Sequence, residues 1–217
     1  MQSEELFQEV LRPENFQAVQ KIINTMTPDL VIGPELMNLL NNGQAETRSF
    51  VYWAAKKIHP KNYLEIGTRR GWSLGMVCAT VPECEIYSFD MWQYDYAGIA
   101  NPGPDFVGNE MRKLGYQKEI HFISGDSHKT IPEFFQKNPT MQFDLILVDG
   151  DHSREGAIDD LVNVIPHLSP GGILLFDDIV LAGLKEVFDG MRSIFPDLEY
   201  HNYEKNMPGV GIAIKSK

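Results

Sequence analysis

Two short runs decide how this chain folds: Phe143-Asp-Leu-Ile-Leu-Val-Asp-Gly-Asp-His152 and Gly171-Gly-Ile-Leu-Leu-Phe-Asp-Asp-Ile179. Each is an apolar stretch without polar alternation that ends in acid, the pattern of a strand buried on both faces of a parallel sheet. Between them, Glu155 to Leu168 carries Ile158, Leu161, Val162 and Ile165 at helical spacing and stops at Ser169-Pro-Gly-Gly172. The segment therefore reads as one β-α-β unit. Such a unit brings both acidic ends to the carboxyl edge of the sheet, where open α/β sheets bind ligands. Asp149, Asp177 and Asp178 are expected at that edge, with His152 three residues beyond Asp149.

Three converging carboxylates repel one another unless something compensates. A hard divalent cation, held by carboxylates and water, is the usual answer. A neutral imidazole beside it can take the proton of a hydroxyl resting on that cation. Any one of these Asp residues alone reads as the cap of the next helix. An Asp doublet ending one strand beside an Asp-x-x-His ending its neighbour favours a site.

Upstream, Tyr63-Leu-Glu-Ile-Gly67-Thr reads as a strand running into a tight turn, Gly67-Thr-Arg-Arg-Gly71-Trp-Ser73, and then the helix Leu74 to Thr80. Glycines at such a turn let backbone approach a ligand at a helix N-terminus. The strand Glu85-Ile-Tyr-Ser-Phe-Asp90 ends in an acid 23 residues after Gly67. An acid at about that spacing commonly holds ribose hydroxyls. Met91 to Pro104 is a loop with Trp92, Tyr94 and Tyr96, either a cover over the ligand edge or a cluster packed beneath it. Asp105 to Leu114 reads as a helix. The strand Glu119 to Ser124 leads into Gly125-Asp-Ser-His128, which can line an adenine pocket, with Asp126 as a helix cap in the competing role. The helix Thr130 to Gln136 follows.

Residues 1 to 60 read as helices, including Glu35 to Asn41 and Glu46 to Ile58, and form a helical cap, lining either the site or a subunit contact, on a single domain of residues 1 to 217 whose core is 61 to 217. Downstream, Leu181 to Ile194 reads as a helix. Leu198 to Tyr203 and Val210 to Ile214, joined by Asn206-Met-Pro-Gly209, read as a terminal antiparallel pair. The fold class is thus α/β, a mostly parallel sheet with helices on both faces and a C-terminal antiparallel hairpin.

The 217 residues are 43% hydrophobic, enough for a sizeable core, and carry 19 Lys plus Arg against 30 Asp plus Glu, a net charge of −11. That balance argues against nucleic acid or an anionic membrane as the main partner. Cys78 and Cys84 show no metal or disulfide spacing, Met1 to Glu5 has no apolar signal run, and no apolar segment reaches membrane-spanning length, so a reducing cytoplasm is expected.

Over residues 60 to 217 the chain resembles the class I S-adenosylmethionine-dependent methyltransferases, on Glu65-Ile-Gly67-Thr68, Gly71-Trp-Ser73, Asp90, Gly125-Asp-Ser-His128, and Asp149 with Gly171-Gly172. Within them it is most similar to metal-dependent O-methyltransferases of the catechol and caffeoyl-CoA type. In Asp149-Gly-Asp-His152 it is similar to the macrocin and mycinamicin sugar O-methyltransferases. The resemblance implies a Rossmann-like, seven-stranded sheet. It implies S-adenosylmethionine held by Glu65, Gly67, Thr68, Gly71, Ser73, Asp90, Gly125, Asp126, Ser127, His128 and Asp149. It implies Mg²⁺ on Asp149, Asp177 and Asp178, His152 as general base, and a hydroxyl-bearing small-molecule acceptor; the sequence leaves a homo-oligomer open. Arg69 stands where many relatives carry a glycine, and Asp178 where the catechol group carries an amide. A Rossmann-type oxidoreductase would share Gly67 to Gly71 and Asp90 but leaves the Asp177-Asp178 doublet unexplained. A non-catalytic S-adenosylmethionine-binding protein would show no metal effect on turnover.

Overall fold

The computed structural model describes residues 2–96, 99–181, 183–206 and 208–217. Four helices come first: α1 (Ser3–Val10), α2 (Pro13–Thr25), α3 (Gly33–Asn41) and α4 (Thr47–Ile58). The alternating part follows as β1 (Asn62–Ile66), α5 (Trp72–Thr80) and β2 (Glu85–Asp90). Two short strands, β3 (Asp95–Tyr96) and β4 (Ile99–Ala100), pair antiparallel inside the next loop. Then come α6 (Pro104–Lys113), β5 (Ile120–Ser124), α7 (Ser127–Lys137), β6 (Phe143–Val148), α8 (Arg154–Val164) and β7 (Leu168–Asp177). The chain closes with α9 (Leu184–Ile194), β8 (Leu198–Tyr203) and β9 (Val210–Lys215).

Seven strands form one sheet in the order β5-β2-β1-β6-β7-β9-β8. The pairs from β5 through β7 are parallel, and β9 runs antiparallel to both β7 and β8. The strands that read as continuously apolar are covered on both faces. Leu145 and Leu147 of β6 and Ile173 and Leu175 of β7 pack into one core with α2, α4 and α5. Ile146, Val148, Leu174 and Phe176 pack into the other with α7, α8 and α9. Each such side chain, wholly removed from water, contributes roughly 1.5–3 kcal/mol. The N-terminal helices share the first of these cores, so residues 1–60 form part of a layer of the domain. No described helix is long and apolar enough to cross a membrane.

Several boundaries differ from the sequence reading. The helix expected to Leu168 ends at Val164, followed by a 3₁₀ turn over Ile165–His167, and β7 begins at Leu168 instead of Gly171. Ser-Pro-Gly-Gly is therefore extended chain at the strand's start, where Pro costs the sheet little. Ile158, expected inward, is exposed; Ala157, Asp160, Leu161 and Val164 form the buried stripe. α7 starts three residues early because the Asp126 carboxylate accepts from the His128 amide and caps it. α9 starts three residues late, behind Gly183 at φ 89°. Trp92 packs edge-on to Phe122 beneath its loop while Tyr94 is exposed. The Tyr96 side chain and Ala97-Gly98 lie outside what is described, as does Met207 of the terminal turn. Cys78 and Cys84 are buried free thiols.

Candidate active site

The carboxyl ends of β1, β2, β5, β6 and β7 open into a cavity of about 750 Å³. Its wall includes Gly67, Asp90, Gly125 to His128, Asp149, His152, Asp177 and Asp178, residues singled out from the sequence and here brought together. The fold places them: each follows, or ends, a parallel strand.

The loops meet tightly. Gly67 has φ 86°, and a Cβ there would lie 1.8 Å from the Asp149 carbonyl oxygen, so glycine is required. Asp90 ends β2 as a hub. One carboxylate oxygen accepts from the Arg69 amide at 2.7 Å; the other accepts from the Trp92 amide at 2.6 Å and the Asn101 side-chain amide at 2.9 Å. Arg69, Trp92 and Asp178, within three residues of the ends of β1, β2 and β7, take positive φ. This uncommon backbone is stabilised by its surroundings.

At the other end stands the acid cluster. One ligand atom each from Asp149, His152 and Asp178 lies within 4.8 Å of the others. His152 Nε2 is 3.2 Å from Asp178 and 3.5 Å from Asp149. Asp177 is buried under α4. The Thr47 hydroxyl donates to its Oδ1, which also accepts from the Asp178 amide at 2.9 Å. Burial, with Asp149 and Asp178 adding repulsion, raises the Asp177 carboxyl well above its ordinary range, against the Arg48 guanidinium and the Thr47 hydroxyl. Burial and Asp149 likewise raise Asp178. The hydrogen bond to Asp149, foremost, with the charges of Asp149, Asp178 and Asp177, pushes His152 up to about 9, against burial.

A compact set of two carboxylates and an imidazole, with a third carboxylate alongside, matches the donors that hold a hard or borderline divalent cation. The side of the cavity around Asp90 and Gly125 to His128 has polar groups that could hold a nucleoside. The buried Oδ1 of Asn101 and Nε2 of His128 on the wall have no hydrogen-bond partner among the described residues.

Four residues named for the cofactor stand behind the wall instead of on it. Glu65 is wholly buried, accepts from the Tyr63 hydroxyl and from Ser73 Oγ at 2.8 Å, and is pushed by burial up to about 8. Thr68 bonds Ser88 at 2.7 Å. Gly71, at φ 78°, starts α5 against Val107. These four shape the turn from beneath.

The sequence left open whether the N-terminal helices line the site or a subunit contact, and named no residue of theirs for the site. Ile32, Glu35, Leu36 and Leu39 reach the cavity from α3 and its N-cap, and Glu46 and Arg48 from the start of α4. Their spacing of three and four residues was available as a signal of one helix face; nothing local showed which way that face turned. The Arg48 guanidinium, 2.6 Å from Glu46, is held protonated by Glu46, Asp177 and Asp149 against its burial. Asn101 was invisible within its loop.

Known proteins agree with this architecture. A family model described as a methyltransferase domain matches residues 64–179. The tapetum-specific methyltransferase 1 of Arabidopsis thaliana is 29% identical over 62% of this chain and 53% of its own length. The chain spans 17%, 53% and 47% of the length of three curated relatives it matches. Among solved structures, the O-methyltransferase TomG from Streptomyces achromogenes, in complex with S-adenosylmethionine, aligns with a TM-score of 0.64 at 16% identity, covering 88% of this chain and 92% of that one. The TDP-rhamnose 3'-O-methyltransferase CalS11 of calicheamicin biosynthesis aligns with a TM-score of 0.58 at 19% identity, covering 93% of each. These likenesses fit the sheet with its terminal hairpin, and none favours the oxidoreductase alternative. With more than half of its length matched by the family model, the chain belongs to the methyltransferase-domain family.

Proposed function

We propose that this S-adenosylmethionine-dependent methyltransferase methylates a hydroxyl of a small molecule, a sugar or diol of a natural product, with Mg²⁺ at the acid cluster and His152 as general base. The observation that carries the reading is the convergence of Asp149, His152 and Asp178 within 4.8 Å, on the same cavity as the Asp90 hub. When bound, S-adenosylmethionine supplies an electrophilic methyl group and the cation lowers the pKa of an acceptor hydroxyl.

The chain's own residues do the rest. Asp90 holds the ribose, Gly125 to His128 border the adenine, and Gly67 lets backbone approach the amino-acid end while Glu65, Thr68, Gly71 and Ser73 fix the turn below. Asp149, Asp177 and Asp178 would hold the cation, with Arg48 balancing part of their charge. Once those acids are neutralised, His152 loses what raises its pKa and is available as a base near neutral pH. Its Nε2 then receives the hydroxyl proton. Holding oxygen and methyl at attack distance supplies much of the acceleration.

The test joins calorimetric titration of S-adenosylhomocysteine with turnover of hydroxylated acceptors in Mg²⁺ and in excess chelator. Binding of S-adenosylhomocysteine, with turnover that chelator abolishes, is expected. Full turnover in chelator removes the metal from the mechanism. Binding without turnover of any hydroxyl acceptor, metal or no metal, leaves a non-catalytic binding protein.

A further inference from the structure

The α3 face of the cavity wall makes no hydrogen bond or ion pair with the acid cluster or with Asp90 among the described residues, and its chemistry points to the acceptor. Ile32, Glu35, Leu36 and Leu39 repeat at three and four residues, so one face of α3 and its N-cap looks into the cavity. Three of the four are aliphatic. On this face Glu35 carries the charge, and no hydrogen bond or ion pair holds it among the described residues. Its place in the first turn of α3 suits the helix dipole, but that accounts for an acid at the helix start and not for a side chain on the cavity wall.

The charge of the whole cavity runs the same way. Eight carboxylates line it against two guanidiniums, both already engaged: Arg48 with Glu46 and Arg69 with Asp29, each at 2.6 Å. A bound cation offsets the Asp149, Asp177 and Asp178 group, Arg48 pairs with Glu46 and Lys129 with Asp126, leaving Glu35, Asp90 and Asp151 as net negative surroundings. An acceptor carrying phosphate or carboxylate would enter without an unpaired cation to receive it and would lose its hydration against like charge. The apolar face instead offers burial to a hydrocarbon or aromatic body. Leu30 and Val31, just before Ile32, and Met91 on the wall itself add exposed apolar surface.

Resting on the methyltransferase reading above, we infer that the acceptor is an uncharged or amine-bearing hydroxyl compound with an apolar body laid along Ile32 and Leu39, with Leu36 buried behind them, and that Glu35 excludes anionic conjugates such as phosphate- or carboxylate-bearing forms of the same body.

Three probes with the same aromatic diol separate charge from shape: 4-ethylcatechol, dopamine and 3,4-dihydroxyphenylacetate. Their affinities are measured calorimetrically on the protein saturated with S-adenosylhomocysteine and Mg²⁺. The anionic probe is expected to bind about tenfold or more weaker than the neutral one, the scale of like-charge repulsion near a protein surface, with the cationic probe at least equal to the neutral one. Glu35→Lys should narrow the gap between anion and neutral probe several-fold while the affinity for S-adenosylhomocysteine is unchanged. Leu39→Asn should weaken all three probes alike. Equal or tighter binding of the anion, or a gap that Glu35→Lys leaves intact, overturns the inference, as does a cofactor-loaded protein that takes up none of the three. Failure of S-adenosylhomocysteine itself to bind is read separately in the first titration and overturns the methyltransferase reading beneath it.

Discussion

Gly67 and Asp149 touch through backbone: the α-carbon of one faces the carbonyl oxygen of the other so closely that a methyl group would sit 1.8 Å from it. The turn that follows β1 and the loop that carries His152 are thus nested. Gly67→Ala must open that contact and also bear φ 86°. A forced fit of this kind costs about 1–3 kcal/mol, with roughly 1–2 kcal/mol more for the left-handed backbone. Urea unfolding should show a loss of about 3 kcal/mol, and calorimetry a loss of S-adenosylhomocysteine binding. A stable Gly67→Ala protein with native affinity would contradict the nesting.

For Asp90, the expected outcome of Asp90→Ala is S-adenosylhomocysteine binding weakened by about 1.5–3 kcal/mol, the scale of hydrogen bonds to a charged group. Asp90 also accepts from Arg69, Trp92 and Asn101, so Asn101→Ala is the companion variant. A smaller loss there, with unfolding unchanged, separates contact with the ligand from support of the loop. Unchanged affinity in a folded Asp90→Ala protein takes Asp90 out of the site.

Thr47 gives a cleaner reading of the buried acid. Thr47→Val removes the hydroxyl that Asp177 accepts, leaving a buried carboxyl short of a partner at a cost of about 1–3 kcal/mol. Metal-stimulated turnover should fall, and Thr47→Ser should restore most of it. Asp178→Ala should abolish the Mg²⁺ effect while S-adenosylhomocysteine still binds, because the acid pair lies outside the Asp90 hub.

His152 separates base from ligand. If it is the base, His152→Ala lowers kcat by about 10²–10⁴-fold with Mg²⁺ and S-adenosylhomocysteine affinities little changed. A loss confined to Mg²⁺ affinity makes it a ligand, and near wild-type turnover moves the base elsewhere, with His128 next to try.

The pH response follows from the same cluster. His152 is raised from 6.5 to about 9, so without cation its contribution to stability is full below about 6.5 and lost as pH rises through about 9. Asp177 and Asp178, also raised, lose stability in the same direction, from their ordinary 3.8 upward. Metal-free protein should therefore melt lower at pH 9 than at pH 6.5, and Mg²⁺ should raise the melting temperature more at the higher pH. His152→Ala should flatten the metal-free profile; a slope that persists undiminished would assign it to other groups.

What the sequence disclosed follows from how local the signal was. Apolar runs ending in acid are short-range facts, and they placed β6, β7, Asp149 and Asp178 because strand ends share one edge in a parallel sheet. Ser169-Pro-Gly-Gly172 misled because the same residues that end a helix also tolerate extended chain. Ile158 misled because a helical stripe can be drawn one position off. Glu65, Thr68 and Ser73 were recognised from the motif but not as buried support, since a motif does not say which side of a turn faces the ligand. Arg48 and Asn101 reach the cavity through tertiary packing alone, and no nearby residue announces it.

The bond from Thr47 to Asp177 sets a limit on rebuilding this protein. A wall that recognises acceptors would ordinarily be the part to exchange when a new specificity is wanted. Here the helix beside that wall also bolts down a strand-end acid and hangs a guanidinium over it. A graft that replaces residues 1–60 wholesale inherits the sheet with an unanchored carboxyl at its edge. Transplants that keep Glu46, Thr47 and Arg48 and vary α3 should succeed where whole-segment swaps fail.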